Sequence, residues 1–153
     1  MSFREKTAWI SLGVTALVWG SYFAGVWREL AGPDPSGADI LGLFVGAVIL
    51  TVVLEVALAI AAAVVSPKSA NSPADERERM IELRSTRIAY AILSVGAVTV
   101  ALASPLLAAG GPHLLGDPLD DAVLITANGV LFALIAAEVV KWTAQVIAFR
   151  RGG

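Results

Sequence analysis

Cysteine is absent from all 153 residues, and histidine occurs once, as His113. The first absence excludes a disulfide framework, an iron–sulfur cluster and a thiol nucleophile. The second leaves no His-rich metal site, and His113 with Asp117 supplies only two loosely spaced ligands. Charge is scarce as well, at 16% of residues with a net −2. A nucleic-acid partner and a solvating acidic tail are both disfavoured by that balance. There is no G-x-x-x-x-G-K, no H-E-x-x-H and no G-x-S-x-G. The expectation is a non-enzymatic protein with no catalytic residue, no metal site and no cofactor.

What the chain does have is apolar surface. Hydrophobic residues make up 57% of it, and the mean hydropathy is +0.76. Apolar runs cover 7–27, 40–65, 88–108 and 122–149. Each is near or above the ~20 residues that carry a helix across a hydrocarbon core of about 30 Å. Period-2 alternation is missing, and a helix satisfies its backbone polar groups internally. The sequence therefore predicts an all-α integral membrane protein, a four-helix transmembrane bundle forming one domain over 1–153. Arg4 and Lys6 could begin a signal peptide. The run behind them, however, carries Trp9, Trp19 and Trp27 with no A-x-A site after it, so it reads as a retained span.

Basic residues are distributed unevenly. Arg4 and Lys6 precede the first span, Lys68, Arg77, Arg79, Arg84 and Arg87 lie between the second and third, and Arg150 and Arg151 follow the fourth. The other two loops contain only Arg28, together with Glu29, Asp34, Asp39, Asp117, Asp120 and Asp121. The bias predicts both ends of the chain and the middle loop on the cytoplasmic side. Helix starts are signalled by Ser36-Gly-Ala-Asp39, Ser72-Pro-Ala-Asp75 and Asp117-Pro-Leu-Asp120. Each places a capping oxygen three residues ahead of a carboxylate. A helix begun at Pro73 would make 73–87 a cytoplasmic extension of the third span, roughly 20 Å long.

The expensive residues are those inside spans. A carboxyl at mid-span costs about 2.5–3.5 kcal/mol on insertion scales. Glu55 is either a proton- or ion-handling group, or a buried carboxyl bonded to another span, with Thr15 at similar depth as a candidate partner. Glu138 and Lys141, spaced i,i+3, can pair on a stripe continued by Trp142 and Gln145. In the alternative, Lys141 snorkels to the headgroups with Trp142 at the interface. Glu55 and Glu138 each lie in the half of their span nearer the cytoplasm, hinting at a parallel 2+2 repeat. Gly42 and Gly46 form a small-xxx-small pair suited to helix packing, and Tyr22 reads as an interfacial or packing aromatic.

The segment Asp75 to Arg87 balances four acids against four bases and carries Met80, Ile81 and Leu83 as an apolar patch. Arg77, Arg79, Met80, Leu83 and Arg84 make it a candidate docking helix for a cytoplasmic protein. In the alternative it is a solvated extension, self-paired through Asp75–Arg79 and Glu76–Arg79.

The run Asp75-Glu-Arg-Glu-Arg-Met-Ile-Glu-Leu-Arg-Ser-Thr-Arg-Ile-Ala-Tyr90 resembles the DERDxxIExR…RIxY signature of small bacterial predicted membrane proteins of unknown function. Lys6-x-x-Trp9-Ile-Ser-Leu12 is similar to their opening. Glu138-Val-Val-Lys-Trp-x-x-Gln145-Val-x-x-x-Arg150-Arg151 is similar to their ending. The resemblance implies a multi-pass protein of the bacterial inner membrane with four spans, and a recurring Glu138, Lys141 and Gln145 constellation. It implies no activity, and Glu55 lies outside it.

Three functions remain open at this stage. The leading one is helix-mediated assembly among membrane lipids, as a homo-oligomer or an accessory subunit of a larger complex with 75–87 available for docking. The second is proton or cation conduction through Glu55 and Glu138, with Thr15 and Gln145 nearby. The third is a membrane tether for a cytoplasmic regulator.

Overall fold

The computed structural model describes residues 3–65, 75–110, 114–115 and 117–151. The described residues form helices α1 (Phe3–Leu30), α2 (Gly37–Val65), α3 (Glu76–Gly110) and α4 (Pro118–Arg150). All four are long and apolar enough to cross a membrane. Each contains the apolar run expected of it; α1, α2 and α4 start three or four residues earlier, and α3 starts twelve residues earlier, at Glu76. Ser72, Pro73 and His113 lie outside the described residues, so the proposed Ser72 cap does too.

Local capping sets the helix starts. The Ser36 hydroxyl accepts from Asp39 N–H at 3.4 Å, while Glu29 Oε1 takes Ser36 N–H at 3.1 Å, tying the end of α1 to the start of α2. Asp117 caps α4 by accepting from Leu119 N–H at 2.7 Å. At α3, Glu78 Oε2 accepts from Asp75 N–H at 3.4 Å, one half of a capping box.

The helices pack in the sequence α2 on α1, α1 on α4, and α4 on α3. At the end carrying most of the basic residues, Arg4 reaches Glu78 at 3.2 Å and Glu82 at 3.8 Å. Arg150 stacks on the Trp9 ring at 5.1 Å. The largest buried cluster lies where α1 meets α2, built on Val18, Trp19, Tyr22, Ile40 and Ala47 and backed by Leu124 and Leu131 of α4. Aromatic edge contacts from Tyr22 to Trp19, Phe23 and Phe44 at 5.1–6.3 Å fix that junction.

The closest helix approach is between α3 and α4. A Cβ on Gly96 would stand 2.6 Å from Ala133 Cβ, and one on Gly129 would stand 2.8 Å from Val100 Cγ1. Two glycines, each facing the residue four places beyond the other, let the backbones nearly touch. Farther along the same antiparallel register, Gln145 Nε2 donates to Ser85 Oγ at 3.0 Å.

Gly42 and Gly46 play no such part among the described residues. No side chain comes within 4 Å of a Cβ at either position. Instead they line an open groove beside α1 together with Ser21 and Leu50. The reason is rotational: α2 turns Ile40, Phe44, Ala47 and Thr51 toward α1, and the two glycines fall on its flank.

Candidate functional site

Hydroxyls within apolar helices face a choice between their own backbone and a neighbour. Thr51 Oγ1 donates to Ala47 O at 2.8 Å, Thr99 to Val95 O at 2.8 Å and Thr126 to Ala122 O at 2.7 Å. Such back-bonding hides the proton inside the helix. Thr51, one turn before Glu55, is therefore not a donor to it. Glu55 is half-buried and has no hydrogen bond or ion pair to any described residue. Thr15 is buried, at 5% exposure, and makes no bond to Glu55.

The Glu138–Lys141 pair forms as its spacing predicts, with Lys141 Nζ at 3.0 and 3.3 Å from the two carboxylate oxygens. Lys141 also lies 4.2 Å over the Trp142 ring. Gln145 does not join this pair but turns to Ser85 of α3, and both are buried. Ser85 keeps its own proton on Glu82 O at 2.9 Å, so converting Gln145 to Leu removes the one bond that its oxygen accepts across the interface. We expect a loss of about 1 kcal/mol in a denaturant titration of the purified protein, the scale of interhelical polar bonds in membranes.

Tyr22, the pivot of the aromatic cluster, is 4% exposed and donates its hydroxyl proton to Asn128 Oδ1 at 2.6 Å. It is a buried bonding group, not an interfacial one. Asn128 Nδ2 in turn donates to Leu124 O at 3.1 Å. A carbonyl only accepts, so the amide nitrogen must face Leu124 and the amide oxygen must face Tyr22. Sequence reasoning passed over Asn128, although an amide in the middle of an apolar run is the same kind of signal as Glu55.

Tyr22 also fixes relative depth, because it touches Phe44 of α2 and Asn128 of α4 at one level. Glu55 lies eleven residues beyond Phe44 and Glu138 ten beyond Asn128. At 1.5 Å per residue both helices advance about 15–17 Å in the same direction, which puts the two glutamates near one level. On regular helices each also falls close in angle to a residue higher up. Glu55 lies about 20° around its helix from Phe44, and Glu138 about 20° from Leu131. Above them, Tyr22, Ile40, Phe44, Asn128 and Leu131 line a cavity of about 780 Å³ between α1, α2 and α4.

At the basic end, Glu78 and Glu82 pair with Arg4 of α1, and the expected self-pairing of Asp75 and Glu76 with Arg79 does not form among the described residues. Arg77 reaches Ala148 O of α4 at 3.4 Å. Arg79, Met80, Leu83 and Arg84 remain exposed on the outer side of α3. Among the described residues no group of three or more His, Asp or Glu is arranged to hold a metal ion. No protein-family model, curated protein or solved structure matches the chain.

Proposed function

We propose that this is a multi-pass protein of the bacterial cytoplasmic membrane, with its basic end inside, that acts without catalysis through lateral assembly. The observation that carries the reading is Glu55, an intramembrane carboxyl without a partner among the described residues, on a helix that packs chiefly against α1. Lipid offers such a group nothing, whereas a polar group on a second chain or a different subunit would offset its cost. The open flank at Gly42 and Gly46 gives a neighbouring helix room for close approach. The exposed strip Arg79, Met80, Leu83 and Arg84 supplies a docking surface for a cytoplasmic partner, which a tethering role would also use.

The test is native mass spectrometry of the complex released from its own membranes into nanodiscs. A homo-oligomer or a reproducible second subunit is expected, and a monodisperse monomer without partners would sink the reading. Replacing Glu55 with Leu should weaken the association about 3- to 20-fold if the carboxyl bonds across the interface.

A second reading, proton or cation conduction, is favoured by one feature, the similar depth that helix rise gives Glu55 and Glu138 on α2 and α4. It expects proteoliposome flux that falls in Glu55→Gln and Glu138→Gln. Flux indifferent to both substitutions removes it.

A further inference from the structure

The cavity between α1, α2 and α4 belongs to neither reading. Its volume of about 780 Å³ falls within the ~300–1,000 Å³ typical of small-molecule sites. Its walls are aliphatic and aromatic, with Leu41, Phe44, Leu131 and Leu134 prominent among them. The side-chain oxygens it presents are all acceptors, and of the two amide protons of Asn128 one is already used on Leu124 O. Tyr22 spends its only proton on Asn128, so the phenolic oxygen can only accept. Asn128 Oδ1 keeps a second lone pair. Asp120 adds a carboxylate at the rim, and among the described residues no lysine or arginine lines the space. The surrounding end of the molecule carries Glu29, Asp34, Asp39 and Asp117 against Arg28. Acceptors and negative charge over an apolar chamber complement a donor-bearing cation with a hydrophobic body.

We infer that this cavity binds an amphiphile with a protonated amine head and an apolar body. The body fills the space between Phe44 and Leu131, and the ammonium group lies toward Asp120. Side access is open, since Leu41 and Leu134 on its walls remain 61% and 42% exposed. A ligand dissolved in the bilayer can therefore enter between α2 and α4. The inference is independent of the assembly reading, because it concerns the acidic-end half of the molecule and involves neither Glu55 nor the α3 strip.

The experiment uses two fluorescent naphthyl amphiphiles of opposite charge, propranolol (a secondary amine) and naproxen (a carboxylate). Each is equilibrated by dialysis against the full chain in phosphatidylcholine nanodiscs, with empty nanodiscs subtracting lipid partition. Saturable binding of one propranolol per chain is expected, with none for naproxen. Asp120→Asn should weaken it about five-fold, the scale of a partly exposed ion pair. Leu131→Trp and Ala127→Trp, which fill the chamber from different positions, should each abolish it. Circular dichroism and an unchanged denaturation midpoint certify the variants. If either tryptophan variant fails to fold, the naproxen comparison and Asp120→Asn still decide. The proposal is overturned by no excess over empty nanodiscs, by equal retention of both probes (a groove for acyl chains), by indifference to Asp120→Asn, or by full retention in both folded tryptophan variants.

Discussion

Gly96→Ala should destabilise the protein by about 2 kcal/mol, because the added methyl enters a site with no room for it. Its Cβ would stand 2.6 Å from Ala133 Cβ, well inside the contact distance of two carbons. Ala133 has no rotamer through which to retreat, so the helices must separate. Separation loosens the opposing contact of Gly129 with Val100 and stretches the Gln145–Ser85 bond on the same register. A titration with a denaturing detergent, followed by circular dichroism, gives the magnitude. The compensating change is diagnostic: Ala133→Gly in the Gly96→Ala background removes the colliding methyl and should recover most of the loss. A Gly96→Ala protein as stable as the parent would mean that α3 and α4 do not meet in this register.

Asp121→Ala is expected to cost about 3 kcal/mol, as a buried acceptor is lost while its donors stay behind. The Asp121 side belongs to the first turn of α4 and is 1% exposed. Its carboxylate accepts Leu114 N–H at 3.0 Å and Leu115 N–H at 2.7 Å, folding the preceding segment back over the helix end. Negative charge suits this position because the N-terminal end of a helix is positive. Alanine leaves two amide groups without an acceptor in a largely enclosed place. Asparagine keeps one carbonyl oxygen and should fall between the two. The same detergent titration ranks the three proteins, and an Asp121→Ala midpoint equal to the parent's would contradict the arrangement. Leu115 also lines the cavity, so release of this segment should weaken propranolol binding in parallel.

Helix number was legible because each helix holds a long apolar run, and hydropathy alone marks such runs. The Ser36 and Asp117 caps were legible because capping is local, decided within three residues. The Glu138–Lys141 pair was legible for the same reason, one turn of helix fixing both partners. Partners on different helices were not. Tyr22 with Asn128 and Ser85 with Gln145 depend on which faces meet and at what register, and apolar residues on nearly every side of these helices leave the faces unmarked. Glycine carried an ambiguous message: Gly42 and Gly46 look as apt for packing as Gly96 and Gly129. Only the tertiary arrangement distinguishes the pair that is used. Asp121 reads as one more acid in an acidic loop until its burial is known.

The placement of α4 between α1 and α3 has a consequence for how the chain is made. A ribosome delivers helices in order, so α1 and α2 can form their contact as soon as α2 emerges, before any later segment exists. The third helix has no such welcome, since its main neighbour is the helix that follows it. While it waits, its glycine notch has nothing packed into it, and only Arg4 is at hand to engage Glu78 and Glu82. Arrival of the last helix then closes two interfaces together. Docking of α4 thus converts a hairpin and a loose helix into one packed body.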